Sequence, residues 1–176
     1  MDTGLLILRL VVGLLLAGHG AQKLFGWFGG HGIEGTGGFF HGLGFRPGKR
    51  WAVVAGLSEF GGGALLALGL FTPLAAAAIL GTMFNAVMSV HAKNGPWLTN
   101  NGWEYNLVLA ASAVAVAFTG PGEVSLDYAF GWELAGTDWG IAALALGVGA
   151  GIVTDIYRRV ANREAKLRSR DVQATA

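Results

Sequence analysis

Five apolar runs, each close to the length needed to cross a bilayer, dominate this sequence of 176 residues. A hydrocarbon core about 30 Å thick needs roughly 20 apolar residues in one helix, with a workable range of about 17 to 25. The runs cover residues 4–24, 51–71, 74–90, 103–118 and 139–156. They predict an all-α fold, a polytopic transmembrane four-helix bundle with a fifth transmembrane helix at its C-terminal side.

Composition agrees with a membrane protein and excludes several kinds of site. Only 13% of the residues are charged, against about a quarter in soluble domains, so an ordinary soluble enzyme is excluded. The chain has no cysteine, which excludes disulfides, thiolate zinc sites, cysteine-ligated iron–sulfur clusters and covalent c-type haem. Any thiol chemistry would belong to a partner.

The basic residues predict the orientation of the runs in the membrane. Short loops rich in Lys and Arg stay on the cytoplasmic side, whereas acidic residues contribute little. Eleven of the twelve basic residues fall on one side if the amino terminus is outside; Arg9, inside the first run, is the exception. The opposite side receives Glu123, Asp127, Glu133 and Asp138. We therefore expect a multi-pass protein of the plasma membrane with its N-terminus outside and its C-terminus cytoplasmic.

The two ends of the chain leave room for other interpretations. A cleaved signal peptide is disfavoured for two reasons: no basic n-region precedes the first run, and Arg9 interrupts that apolar run. The run at 139–156 is either a fifth span or a peripheral helix, and its Gly147 and Gly151 favour close helix packing. The basic tail at 157–176 is expected to be a cytoplasmic helix against anionic lipid headgroups, with no nucleic-acid role.

The segment between the first two runs, residues 26–50, is rich in glycine. It holds ten of the thirty glycines but also Phe39, Phe40 and Leu43 at helical spacing. This pattern predicts a short helix over 35–43 in the membrane interface, where aromatic side chains are favoured. The alternative is a packed cap over the helix ends. His31 and His41 are expected to be solvated, and no metal site is predicted.

Polar side chains inside or at the end of the runs are the candidate functional residues, because ionisable groups in a membrane are costly. Arg9 lies about 8 Å and Glu59 about 17 Å from the outer ends of their runs at 1.5 Å rise per residue. An ion pair between them is predicted, with His19 and Lys23 as alternative partners of Glu59. The candidate cluster consists of Arg9, His19, Lys23, Glu59, Asn85, His91 and Glu104.

Two features of this cluster point to chemistry. His19, Lys23, His91 and Glu104 are expected at a similar depth, an arrangement suited to proton transfer or to holding a quinone carbonyl. A structural hydrogen-bond network is the alternative, and a b-type haem between His19 and His91 is another. Thr82, Asn85 and Ser89 form a stripe on the third run that should face other helices.

Taken together, these motifs resemble the DoxX family of small integral membrane proteins. The likeness covers residues 4 to about 128. It rests on Arg9, HGAQKLFG at 19–26, GGFF at 37–40, LGF at 43–45, WAV at 51–53, GLSE at 56–59, GG at 62–63, LFT at 70–72, His91, WE at 103–104, GPG at 120–122 and SLD at 125–127. The resemblance implies a four-helix membrane bundle over 1–128, to which this chain adds the segment 129–156 and the tail 157–176. Some relatives belong to membrane oxidoreductase assemblies, including thiosulfate:quinone oxidoreductase subunits and thiol or oxidative-stress complexes.

The leading functional hypothesis is an accessory or quinone-facing subunit of a membrane redox assembly, rather than a stand-alone enzyme. Its partners would be the lipid bilayer, a redox enzyme and further copies of the chain. A proton-coupled or small-solute permease is the first alternative, and it requires a water-filled path past Glu59. A purely structural membrane scaffold is the second.

Overall fold

The computed structural model describes residues 2–174, and every regular element in that range is a helix. The helices are α1 (Asp2–Phe25), α2 (Gly32–Gly42), α3 (Gly48–Leu68), α4 (Thr72–Ala86), α5 (Glu104–Thr119), α6 (Leu126–Ala129) and α7 (Thr137–Ala174). One turn of π-helix, Val87–His91, prolongs α4. The all-α prediction is confirmed for these residues; Met1 and the last two residues of the tail, 175–176, lie outside them.

Four helices are long and apolar enough to cross a membrane: Asp2–Phe25, Gly48–Leu68, Thr72–Asn94 and Thr137–Ser169. The fifth run is α5, whose 16 residues extend about 24 Å at 1.5 Å per residue. All five apolar runs are therefore helices, and the chain is a multi-pass membrane protein. The second run ends earlier than predicted, at Leu68, because Gly69 takes the left-handed conformation (φ 60°) that closes a helix.

The helices pack as a four-membered bundle with a fifth helix alongside. α1 packs chiefly on α3, α3 also on α4, α4 also on α5, and α5 on α1; α7 packs on α4 and α5. A core of buried aliphatic side chains fills the bundle, among them Leu16, Leu66 and Ile79. α7 approaches α4 closely, since a Cβ at Gly147 would lie 2.8 Å from the Ala77 carbonyl oxygen. The predicted packing role of this glycine is confirmed.

Small residues also bring α1 and α3 into close contact. A Cβ on Gly13 would lie 2.5 Å from the Gly63 carbonyl oxygen, and one on Gly20 would lie 2.7 Å from the Gly56 carbonyl oxygen. The two antiparallel helices therefore touch backbone to backbone at two levels, an arrangement typical of membrane helices. These contacts fix which residues of α1 face which residues of α3.

The topology places the basic residues, with the exception of Arg9, at one end of the bundle. One end, named here the basic end, carries α2, the start of α3, the end of α4 and the C-terminal part of α7, and with them Lys23, Arg46, Lys93 and the arginines of the tail. The other, the acidic end, carries α6 with Glu123, Asp127, Glu133 and Asp138. Which end faces the cytoplasm stays a prediction.

The glycine-rich segment contains the expected short helix, and α2 begins three residues before the predicted start. α2 packs chiefly on α3 and also on α1. A Cβ on Gly37 would lie 2.9 Å from the Cα of Lys49, so the two backbones are in close contact. Phe39, by contrast, is 55% exposed. α2 thus covers the start of α3, in keeping with the packed-cap alternative, and its position in the membrane interface stays a prediction.

α7 donates hydrogen bonds to the connection between α2 and α3. Arg158 Nη1 donates to the Leu43 carbonyl oxygen at 3.1 Å, and the Tyr157 hydroxyl donates to the Arg46 carbonyl oxygen at 3.0 Å. The Tyr157 ring also lies 5.4 Å from that of Trp51, between ring centroids. The predicted tail is therefore continuous with α7 and attached to the basic end by its first residues.

Candidate functional site

A cavity of about 530 Å³ lies at the basic end, between α1, α2, α3, α4, α5 and α7. Five of the seven candidate residues line it: His19, Lys23, Glu59, Asn85 and His91. Arg9 and Glu104 do not. The remaining polar side chains of the lining are Ser58, Thr82, Ser89, Asn101, Tyr105, Asn106 and Thr154. The bundle thus gathers polar groups from every helix that borders the cavity except α2.

Lys23 and Glu59 form an ion pair across α1 and α3. The Glu59 side chain is 5% exposed, whereas that of Lys23 is 23% exposed. The predicted pair of Arg9 with Glu59 is therefore wrong, and the alternative partner Lys23 is the one observed. The reason is the register of the two helices: with Gly13 against Gly63, Arg9 lies opposite Ala67, two turns beyond Glu59.

Arg9 acts at the acidic end instead. Its side chain is fully buried and donates to the carbonyl oxygens of Ala67, at 3.3 Å, and Val124. The nearby Asp127 carboxylate accepts from the backbone N–H of Phe71 at 2.8 Å and from both the N–H and hydroxyl of Thr72. Arg9 and Asp127 therefore hold α6 and the segment before it onto α1, α3 and α4, outside the cavity.

The two cavity histidines have different partners. His19 Nε2 lies 3.3 Å from the Tyr105 hydroxyl of α5, and its Nδ1 lies 3.2 Å from Gln22 Oε1. His91 Nδ1 lies 2.8 Å from the Asn101 carbonyl oxygen. An iron ligated by His19 would have to break one of its two hydrogen bonds, which weighs against the haem alternative. The described residues hold no group of three His, Cys, Asp or Glu side chains able to bind a metal.

Glu104 has a local role at the start of α5. Its carboxylate accepts from the backbone N–H of Leu98 at 2.6 Å, within the loop that joins α4 to α5. Of the four groups expected at one depth, His19, Lys23 and His91 line the cavity and Glu104 does not. Glu59 also lines it. A carboxylate at the first turn of a helix is also favoured by the helix dipole.

The polar stripe of α4, which was predicted to face other helices, lines the cavity that these helices enclose. Thr82 donates to the Ala78 carbonyl oxygen at 2.9 Å, the Asn85 amide to that of Gly81 at 3.0 Å, and Ser89 to that of Asn85 at 2.6 Å. Each hydrogen bond returns to the backbone of α4. Asn85 Oδ1 is buried and accepts no hydrogen bond from the described residues.

The rest of the lining is apolar and reaches the outer surface of the bundle. Aromatic side chains of α2, α3 and the connection between them form its wall at the basic end: Phe39, Phe40, Phe45 and Trp51. α3 and α7 both pack on α4 but have little direct contact with each other in the described part of the chain. Val54, which lines the cavity on α3, is 51% exposed. The cavity is therefore open on this side to the outer surface of the bundle.

Sequence reasoning missed the contribution of α5. Tyr105 and Asn106 line the cavity, and Asn106 is 7% exposed with its amide 3.5 Å from Met83 Sδ. Both residues follow Glu104 directly at the polar start of the fourth run. A buried amide in an apolar run is the same signal that identified Asn85, and it could have found Asn106.

Sequence comparison finds one matching family model and similar proteins from two bacteria. The family model described as DoxX matches residues 4–92. The chain is 31% identical over 126 residues to "Putative oxidoreductase CatD" of Bacillus subtilis (strain 168), covering 72% of this chain and 86% of that protein. It is 33% identical over 130 residues to "Inner membrane protein YphA" of Escherichia coli (strain K12), covering 70% of this chain and 87% of that protein. No solved structure matches significantly.

Proposed function

The chain belongs to the DoxX family, and from this premise we propose that it is a quinone-binding accessory subunit of a membrane redox assembly. A bound quinone would supply two-electron, two-proton chemistry, and the electrons would come from a partner enzyme. The printed name of the Bacillus relative, which includes the word oxidoreductase, supports a redox role. The name of the Escherichia relative supports a plasma-membrane location.

The cavity at the basic end is the observation that carries this proposal. It combines two environments that a long-chain quinone needs. Polar groups of α1, α3, α4 and α5 surround its inner part, where a ring with two oxygen atoms can be oriented by hydrogen bonds. Aromatic and small apolar residues of α2, α3 and α7 border the side that is open to the outer surface of the bundle, where an apolar chain can lie.

His19 and Tyr105 are the groups best placed to exchange a proton with such a ring. An imidazole ring can both accept and donate a proton. The hydrogen bond between His19 Nε2 and the Tyr105 hydroxyl links two groups that line the cavity. Lys23 and Glu59 pair with each other, so neither charge is left without a partner in the bundle.

The permease alternative receives less support from the packing. A conduction path past Glu59 would have to continue to the acidic end, but side chains with no exposed surface, including Leu16, Leu66 and Ile79, fill the core between the two ends. At the acidic end, Arg9 is fully buried and hydrogen-bonded to backbone. A blind cavity suits a bound ligand better than a transported one.

The proposal is tested by measuring retained quinone. We expect protein purified in nanodiscs made with a quinone-containing lipid extract to carry about one quinone per chain, assayed by solvent extraction and chromatography. Ala55→Trp places a large ring in the cavity and should reduce retention at least tenfold. Ala115→Trp, on an exposed position of α5 outside the cavity lining, is the matched control and should retain quinone.

Two results together would overturn the proposal. One is wild-type protein that carries no quinone under these conditions. The other is a crosslinked pull-down from native membranes that recovers no redox enzyme. A scaffold role would be abandoned if Glu59→Gln removed a measured redox activity while protein level and thermal stability stayed normal.

A further inference from the structure

α3 and α7 border the cavity but leave a gap between them. The rings of Trp51 and Tyr157, 5.4 Å apart between centroids, connect the two helices at the basic end. The Tyr157 hydroxyl also donates to the Arg46 carbonyl oxygen at 3.0 Å, just before α3 begins. Both helices pack on α4 but otherwise have little direct contact with each other in the described part of the chain. α4 therefore forms the floor of this gap.

Four residues that line the cavity lie along the two sides of the gap. Three residues from the aromatic pair along each helix lie Val54 of α3 and Thr154 of α7, and seven residues from it lie Ser58 and Ala150. At 1.5 Å per residue, the first two are about 4.5 Å and the second two about 10 Å from the aromatic pair. All four line the cavity, and we name them the side opening.

The side opening lies inside the membrane-spanning part of the bundle. The spans Gly48–Leu68 of α3 and Thr137–Ser169 of α7 both contain it. Val54 and Ser58 lie about 9 and 15 Å from the start of α3 at 1.5 Å per residue. The 21 residues of this helix extend about 31 Å, close to the thickness of the hydrocarbon core. The side opening therefore lies at the depth of the lipid chains.

All four residues of the side opening are uncharged. Val54 is 51% exposed, and Ala150 is exposed on the opposite helix. The Thr154 hydroxyl donates to the Ala150 carbonyl oxygen at 2.8 Å, so its donor is satisfied within α7 in apolar surroundings. The rim of the cavity at the basic end differs, because Asn101 is exposed and the side chain of Lys23 is 23% exposed. An apolar chain is therefore better accommodated in the side opening than at this rim.

We propose that the ligand of the cavity is a membrane-resident amphiphile that enters from the bilayer through the side opening and leaves its alkyl chain there. This inference rests on the proposed function, and it assigns the route of the quinone and the place of its chain. The ring passes between α3 and α7 to the polar groups of α1, α4 and α5, while the alkyl chain stays between Val54 and Ala150. The cavity then exchanges its ligand with the lipid phase.

Affinity alone does not locate the alkyl chain. Lipid chains are as apolar as the side opening, so an alkyl chain gains little free energy by moving into it from the bilayer. A probe at the opening is therefore needed. The protein has no cysteine, so one nitroxide label can be attached at Val54→Cys or at Ala150→Cys. Ala145→Cys is the matched control, because Ala145 is an exposed alanine of α7 outside the cavity lining.

The first measurement tests whether the side opening faces lipid. Paramagnetic resonance of the labelled full chain in nanodiscs compares collisions of each label with oxygen, which concentrates in lipid, and with a water-soluble nickel chelate. We expect all three labels to collide more frequently with oxygen. More frequent collisions with the nickel chelate at Val54 and Ala150 would overturn the proposal, because the opening would then face water.

The second measurement tests where the alkyl chain lies. It adds a decyl-substituted 1,4-benzoquinone, or the same ring with a methyl group in place of the decyl chain. We expect the decyl ligand to lower oxygen collisions at the Val54 and Ala150 labels about twofold or more, since the surface of a bound ligand is largely buried. The methyl ligand should leave both labels unchanged, and neither ligand should affect the Ala145 label.

The third measurement is calorimetric titration of the unlabelled protein with the decyl ligand. Ala150→Trp should weaken binding about tenfold, because its side chain takes the space of the alkyl chain. Ala145→Trp is the control and should bind as the wild type does. Binding that Ala150→Trp leaves unchanged would contradict the assigned route.

The outcomes separate this inference from the proposed function. If neither ligand binds the wild type, the proposed function fails. If the decyl ligand binds but the labels in the side opening respond to both ligands alike, or to neither, quinone binding stands and the side opening does not hold the alkyl chain.

Discussion

Lys23 and Glu59 form an ion pair whose two side chains are buried to different extents. The carboxylate is 5% exposed, while the ammonium keeps 23% of its side-chain surface and a flexible stem. If Glu59 is removed, Lys23 can turn its charge towards water. If Lys23 is removed, a carboxylate stays in the bundle without a partner. The two single substitutions should therefore differ in effect although they break the same ion pair.

We expect Lys23→Met to lower the free energy of unfolding by about 3–5 kcal/mol, the usual loss when a buried pair loses one member. Glu59→Gln should lower the free energy of unfolding by clearly less. The double variant Lys23→Met/Glu59→Gln should be more stable than Lys23→Met alone. Reversible unfolding in detergent micelles measures these differences. Lys49→Met is the control, because its pair with Glu34 is exposed on both sides and should contribute less than about 1 kcal/mol. Equal losses for both members of the Lys23 pair would contradict this interpretation.

At the level of single residues, the sequence predicts which side chains need partners but not which partners they find. Arg9, Lys23 and Glu59 stand out in apolar runs because charge is costly in lipid. Their pairing depends on the register of α1 against α3, which backbone contacts at glycines determine. Estimates of depth from the ends of the runs placed Arg9 and Glu59 within reach, whereas that register places Lys23 nearer.

Among the helices, α1 and α3 offer the sharpest test of packing, because two glycines of α3 that are two residues apart have opposite surroundings. A Cβ on Gly63 would lie 2.5 Å from the Gly13 carbonyl oxygen and from the Ala17 nitrogen. A Cβ on Gly61 would have nothing within 4 Å. The first position lies in the helix interface and the second outside it.

We therefore expect Gly63→Ala to destabilise the bundle by about 1–3 kcal/mol, as overpacking does, because the helices must separate. Gly61→Ala should leave stability within about 1 kcal/mol of the wild type, on the favourable side, since alanine is the better helix former. Thermal unfolding of both variants in the same micelles gives the comparison. Similar losses for the two would show that α1 and α3 are not held by this contact.

The sequence predicts the helices correctly where the length of an apolar run is sufficient to identify them. The five runs are all helices, and aromatic spacing located α2. The boundaries depend on local chemistry that hydropathy does not report: Gly69 ends α3, and Ser125, whose side chain accepts from the Tyr128 N–H, starts the short α6. The tail was separated from the fifth run by its charge, yet α7 continues through both without interruption.

For the whole molecule, the separation of basic and acidic ends makes orientation testable in one experiment. The natural chain has no cysteine, so single cysteines can be introduced without other changes. Ser125→Cys at the acidic end should react with a membrane-impermeant maleimide on intact cells, whereas Ser169→Cys on the tail should react only after permeabilisation. The reverse pattern would overturn the prediction of an outside amino terminus.

α7 is one uninterrupted helix that extends well beyond the length needed to cross a bilayer. Its 38 residues extend about 57 Å at 1.5 Å per residue, nearly twice the thickness of the hydrocarbon core. Gly151 and Thr154 belong to the cavity wall, and Arg163 and Lys166 lie two to three turns further along the same rigid rod. A displacement of the tail would therefore also move the part of α7 that lines the cavity. Forces on the tail and a ligand bound in the cavity act on the same helix.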